Sequence, residues 1–237
     1  MGNTANYEIL RQKALLLDEI LFKEYGGPFQ FFSDKDPLSE MVNSMLSHRT
    51  KNSVSAQAYR NLRQSLPTWE AVRDASVEVI FQPISIVTYP EVKAPRIKAA
   101  LQIITELNKG ELTLDFLADW PVETSRAWLE KLPGVGKKTS AATLNFSRLR
   151  LPALVVDSHH HRVAQRLGLV PPKASLDATA RILESYLPTD WDGQRVYDSH
   201  KGFMYHGKRV CHWDRPECER CVVRAYCDYY AERQNQS

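Results

Sequence analysis

The 237-residue chain is 43% hydrophobic and 25% charged, the balance of a folded globular protein rather than a disordered one. A net charge of +3 permits a polyanionic partner without demanding one, because basic surface must then come from local clustering. The sequence has no apolar run of the roughly 20 residues a membrane span needs. Its start, MGNTANYEILRQ, lacks the features of a secretory signal and has Asn6 where a myristoylation start wants Ser or Thr. The expectation is a cytoplasmic protein, nucleoid-associated in a prokaryote, with no membrane partner.

Glycine is scarce, at 10 residues, and alternating β patterns are few, which predicts helices joined by proline-marked turns. From Asn6 to Tyr25, Ile9, Leu10, Leu16, Leu17, Ile20 and Leu21 recur at helical spacing until Gly26-Gly27-Pro28 ends the run. Pro37 opens a helix with Leu38, Met41, Val42, Met45 and Leu46 on one side, and another spans about Val54 to Leu66. Further helices are expected over Pro95–Leu107, Leu114–Asp119 and Val122–Leu132.

The segment Leu132-Pro133-Gly134-Val135-Gly136-Lys137-Lys138-Thr139 then joins this last helix to one running to about Phe146. Two glycines two apart allow a tight turn and close approach of a ligand, and the amides opening the next helix suit phosphate. A plain helix–helix turn is the simpler reading of such a pair. A P-loop is excluded by Lys131 and a dinucleotide fingerprint by Thr139, where each would need glycine. Downstream, Val155-Val156-Asp157 precedes a helix expected to start at Ser158, so Asp157 is a candidate N-cap.

All four cysteines lie in the C-terminal segment, as Cys211-x6-Cys218-x2-Cys221-x5-Cys227. Thiolates suit zinc and iron–sulfur clusters alike, and disulfides do not fit a chain without an export signal. Zinc sites usually present two close pairs; the single close pair here, flanked by wider loops, favours a [4Fe–4S] cluster. Such a cluster could carry electrons or staple a loop bearing Lys208, Arg209, Arg215, Arg220 and Arg224, and these basic residues favour the staple.

LPGVGKKT, the loop ending in VVD and the cysteine spacing, in that order, resemble the endonuclease III family of helix-hairpin-helix, Gly/Pro…Asp DNA glycosylases. The resemblance runs from about Pro37 to Cys227 and includes MLSHRTKN, SHHHRVAQRLGL and HGKRVC. It implies an all-α protein of two helical domains. A six-helix barrel domain with the helix-hairpin-helix would take residues 31–150, and a discontinuous iron–sulfur cluster domain residues 1–30 and 151–237, with a DNA-binding groove between them. The implied function is base-excision DNA repair by a bifunctional N-glycosylase and abasic-site (AP) lyase acting on oxidised pyrimidines. Its partner would be double-stranded DNA containing damaged bases or abasic sites, met by a monomer.

By the same resemblance Lys138 is the nucleophile that forms a Schiff base, Asp157 the essential aspartate, and Cys211, Cys218, Cys221 and Cys227 the [4Fe–4S] ligands. A lysine attacks only as the free amine; helix-terminal positive potential and Lys137 favour that form, while Asp157 opposes it. DNA contacts are expected from Gly134, Val135, Gly136, Lys137, Thr139 and His159, with His48, Arg49 and Val87 at the gap left by a flipped base. The chain departs from the family in carrying His48-Arg49 where glutamine is usual, and in a longer wedge loop, residues 84–90, that includes Tyr89. Three adjacent histidines, His159 to His161, point about 100° apart on a helix and form no single metal face.

Two other classes fit the sequence less well. A monofunctional glycosylase for adenine mismatches or alkylated bases is disfavoured by Lys138, and Asn43-Ser44-Met45 offers no carboxylate at the position that adenine-mismatch enzymes use. A non-catalytic DNA-binding or redox-sensing iron–sulfur protein is disfavoured by the pairing of Lys138 with Asp157.

Overall fold

The computed structural model describes residues 2–31 and 33–235, with side chains from residue 4 onward. Among them no strand occurs. The helices in chain order are α1 (Gly2–Tyr25), α2 (Pro37–Ser47), α3 (Asn52–Ser65), α4 (Trp69–Asp74), α5 (Val77–Ile84), α6 (Pro90–Leu107), α7 (Val122–Leu129), α8 (Lys137–Asn145), α9 (Ser158–Arg166), α10 (Leu176–Tyr186), α11 (Gly193–Arg209) and α12 (Asp228–Gln234). Single 3-10 turns cover Asp115–Asp119, Cys218–Arg220 and Arg224–Tyr226. No described helix is long and apolar enough to cross a membrane.

Two compact units result, Phe32–Leu151 and a discontinuous one of Met1–Phe31 with Pro152–Ser237. In the first, α2 is central, packing against α3, α6 and α8. The apolar side read from its sequence is its buried side: Leu38, Met41, Val42, Met45 and Leu46 are each at most 4% exposed. Asp36 caps α2 by accepting from the Ser39 amide at 2.9 Å, and Pro37 occupies the first turn, where no amide is needed.

In the second unit α11 packs along α1 and α9. Of the apolar positions expected on α1, Leu17 and Leu21 are fully buried, whereas Ile9 and Leu16 are exposed. That helix buries a narrower stripe than its composition suggests, because α10 and α11 cover only one side. The proline expected to open a helix at Pro95 lies inside α6, which begins five residues earlier at Pro90. Pro95 there removes only one amide, the one facing the Glu91 carbonyl. Helices α4, α5, α10, α11 and α12 have no counterpart among the expected elements.

Candidate active site and cysteine centre

The hairpin between α7 and α8 is built on Gly134, whose φ of +82° lies in the left-handed region. A Cβ there would also stand 2.9 Å from Met45 Cε and 3.2 Å from Arg96 Cδ, so glycine is required twice over. Val135 turns inward and is buried, as is the side chain of Thr139. Any contact they make with a ligand falls to backbone amides. Gly136 occupies the N-cap of α8, and no side chain caps that helix start. The first amides of α8 are therefore open to a ligand.

Lys137 and Lys138 differ in what holds them. Lys137 pairs with Glu130, which also accepts from Ser140 Oγ at 2.8 Å and ties the hairpin to α8. Lys138 is half-buried and has no ion pair among the described residues. Its charge reaches two neighbours in the same unit. The Glu40 carboxyl, 1% exposed on α2, is pushed up by burial, against the pull of Asn43, Lys35, Ser44 and Lys138. His48 is held below its usual value by burial, then by Lys93, Lys138, Arg49 and Arg96. Lys93, Lys138, Arg49 and Arg96 thus all bring positive charge to the neighbourhood of His48.

The turns at 48–50 and 85–89 lie side by side: Thr88 Oγ1 donates to the Arg49 carbonyl at 2.9 Å. Arg49 and Tyr89 both adopt positive φ, 53° and 58°. Val87, expected at the wedge, is 5% exposed and turns inward beneath its turn, while Ile86 (49%) and Tyr89 (50%) project outward.

Asp157 is the N-cap of α9, its Oδ1 accepting from the His159 and His160 amides, both at 2.9 Å. Burial alone would raise its carboxyl; His200, the His160 amide and the neighbouring histidines outweigh that and hold it below the usual carboxylate range. His200, on α11, donates from Nδ1 to the Val155 carbonyl at 2.7 Å. The three consecutive histidines diverge. His159 is half-buried, with Arg162 Nη2 3.2 Å from its Nδ1. His160 is fully buried, stacked on Phe203 at 4.5 Å and pushed down to about 3 by burial. His161 pairs with Thr179 Oγ1 at 2.8 Å.

The four cysteine side chains line one pocket, with Val163, Leu167 and Val210 at its apolar wall. Two arginines of α9 hold the loop that carries them, and sequence reasoning missed both. Arg162 donates to the Gly207 and Cys211 carbonyls at 2.7 and 3.0 Å, and Arg166 to those of His212 and Trp213 at 2.6 and 2.7 Å. Arg166 Nη1 also lies 3.3 Å from Cys211 Sγ. Burial pushes the Cys221 thiol up to about 11, and the other three cysteines act in the same direction. Burial raises the Cys227 thiol as well, and thiols held protonated in this way call for a compensating cationic centre, which fits a metal cluster. Among the described residues no three His, Cys, Asp or Glu stand close enough to share one metal ion. A cubane offers four separate corners, so its thiolates need not converge on a point.

A helix–hairpin–helix with an open helix start, in an all-helical chain that ends in a four-cysteine loop, defines a class of DNA-repair fold. Residues 42–189 match the HhH-GPD superfamily of base excision DNA repair proteins. The chain is 30% identical over 201 residues to endonuclease III of Thermotoga maritima, covering 84% of this chain and 86% of the relative. To endonuclease III of Escherichia coli K12 it is 27% identical over 193 residues, covering 81% and 84%. An endonuclease III trapped as a covalent intermediate with DNA matches its fold with a TM-score of 0.79 at 21% identity, over 94% of this chain and 98% of that one. A thermostable thymine-DNA glycosylase matches with a TM-score of 0.71 at 19% identity, over 98% of this chain and the whole of the other. The chain belongs to the HhH-GPD superfamily. The curated relatives named here are endonucleases III, a family in which an iron–sulfur cluster is expected.

Proposed function

We propose that this base-excision DNA repair protein, a DNA glycosylase with associated lyase activity, uses Lys138 as its nucleophile on oxidised pyrimidines in duplex DNA. The observation that carries the assignment is the contrast within the lysine pair: Glu130 holds Lys137, whereas Lys138 stands at an uncapped helix start with no ion-pair partner among the described residues. The covalent DNA intermediate solved for an endonuclease III supports a nucleophilic route.

In this reading the free amine of Lys138 attacks C1′ of the deoxyribose, the N-glycosidic bond breaks, and the base leaves with a proton. Opening of the sugar ring gives an imine; loss of a C2′ proton then expels the 3′ phosphate by β-elimination. Asp157, held as an anion, offsets positive charge developing on the sugar. The backbone of Gly134 to Thr139, with Lys137, receives DNA phosphate, and His159 contacts the strand beside Asp157. His48 and Arg49, with Ile86 and Tyr89, fill the gap left by the flipped nucleotide. Cys211, Cys218, Cys221 and Cys227 hold a [4Fe–4S] cluster, which when bound ties together the loop that Arg162 and Arg166 support. The enzyme works as a monomer on DNA in the cytoplasm.

Borohydride trapping tests the assignment. On thymine-glycol and abasic duplexes, hydride reduction of the imine leaves a permanent crosslink in the wild type and none in Lys138→Ala. A crosslink of wild-type yield in Lys138→Ala overturns it.

A further inference from the structure

Lys93, on α6, is a buried lysine that the chemistry above does not use; only 7% of it is exposed. Its Nζ donates to the Leu46 carbonyl at 2.7 Å, the His48 carbonyl at 2.8 Å and Thr50 Oγ1 at 3.1 Å. An ammonium has three protons, and each has an acceptor. Two of those acceptors are carbonyls at the C-terminal end of α2, where the helix leaves its last oxygens unpaired and a cation is favoured.

The contact extends past α2. Thr50 Oγ1 donates to the His48 carbonyl at 3.2 Å and accepts from both Lys93 and the Thr88 amide, the latter at 3.2 Å. The Thr88 hydroxyl closes the circuit on the Arg49 carbonyl. A single polar network thus joins the end of α2 and the 48–50 turn that follows it to the 85–89 turn, 39 residues further along the chain between Arg49 and Thr88. On either side of it, Arg49 and Tyr89 hold the left-handed conformation that costs a side-chain-bearing residue energy unless its surroundings enforce it. The side chains presented outward are His48, Arg49, Ile86 and Tyr89, while Val87 is tucked in as the anchor.

We propose that Lys93 is a positioning residue for recognition of the opposite base: with Thr50 and Thr88 it clasps the two turns into one rigid wedge, so that Arg49, Ile86 and Tyr89 enter the duplex as a unit. This rests on the reading above that these turns meet the gap in the DNA. Loosening the clasp lets the side chains adapt to any orphan base, so discrimination falls together with the base-release rate. Attack on a pre-formed abasic site needs less unstacking and is affected less.

The test compares Thr88→Val, nearly isosteric but without the hydroxyl, with Thr88→Ser, which restores it, and with Lys93→Met. Single-turnover release of thymine glycol is measured opposite each of the four bases, alongside cleavage of pre-formed abasic DNA and the fluorescence of 2-aminopurine as the orphan base. The clasp predicts that Thr88→Val slows base release at least tenfold more than abasic cleavage and narrows the spread among the four opposite bases. The 2-aminopurine signal drops with it, and Thr88→Ser recovers both. Lys93→Met goes further in the same direction. Base release and abasic cleavage falling in parallel, or a wild-type spread in Thr88→Val, overturns the clasp alone. A wild type that releases no base from any of these duplexes overturns the functional reading, and the clasp with it.

Discussion

The two helix starts that carry the proposed chemistry are built in opposite ways. The α8 start, with Lys138 as its second residue, has glycine at the N-cap and no side chain closing it. The α9 start is closed by Asp157 itself, whose one oxygen takes two amides. An open start leaves N–H groups and the positive end of the helix dipole for an anionic ligand. A closed start spends the same groups on its own carboxylate and holds it ionised. The difference separates two tasks that a glycosylase must perform: receiving phosphate beside a nucleophile, and keeping a negative charge ready for a sugar cation.

The comparison is broken most severely by removing the charge of Asp157 while keeping its cap. Asn caps helices about as well as Asp, so Asp157→Asn is expected to leave thermal stability nearly unchanged. Base release is expected to slow by about 10²–10⁴-fold, the range for a positioned catalytic group. If stability and rate fall together, the cap rather than the charge is what matters.

Next in size is Gly134→Ala. It forces a side chain into the left-handed region, at about 1–2 kcal/mol, and into contact with Met45 Cε. A loss of about 2–3 kcal/mol in urea unfolding is expected, with weaker DNA binding; an unchanged midpoint would contradict the geometry.

A sharper probe converts the open start into a closed one. A Cβ on Gly136 meets nothing within 4 Å, so Gly136→Asp is tolerated sterically. It is expected to gain a few tenths of a kcal/mol in stability and to lose about tenfold in affinity for undamaged duplex, read by fluorescence anisotropy across a salt series.

At neutral pH the effect of the last change is small, and it appears only as pH falls. His160 is pushed down to about 3 in the folded protein, against about 6.5 when unfolded. The unfolded chain therefore binds the extra proton, and stability falls as pH drops below about 6.5, by at most about 1.4 kcal/mol per unit. His160→Phe, which keeps the stack on Phe203, is expected to flatten the decline of melting temperature between about pH 6.5 and 4. The Asp157 contribution is lost only lower still, as pH falls through its depressed folded value.

Features set by local spacing were legible in the sequence: the GVG turn, the Asp157 cap, the cysteine run and the apolar side of α2. Those set by distant partners were not. Lys93 reads as an ordinary helix lysine until the carbonyls of Leu46 and His48 meet it, and Arg162 and Arg166 give no hint that they hold the cysteine loop. For Val87, expected at the wedge, nothing in a short apolar run says which member turns inward. The burial of Val87 and the left-handed turn at Tyr89 decide that, and leave Ile86 and Tyr89 exposed. Helix α11 is hard to read from its sequence, GQRVYDSHKGFMYHGKR, because it buries polar and small residues as well as apolar ones, among them Asp198, His200 and Gly207. There a Cβ on Gly207 would stand 2.9 Å from His159, so α11 packs closely against α9 beside its buried apolar Val196, Tyr197, Phe203 and Met204.

The most direct measurement locates the covalent bond itself. Wild-type enzyme is trapped with borohydride on an abasic duplex, digested, and the DNA-bearing peptide sequenced by mass spectrometry. The open helix start predicts attachment at Lys138 Nζ. Attachment at Lys137, or at any other amine, would contradict the division of labour between the two helix starts.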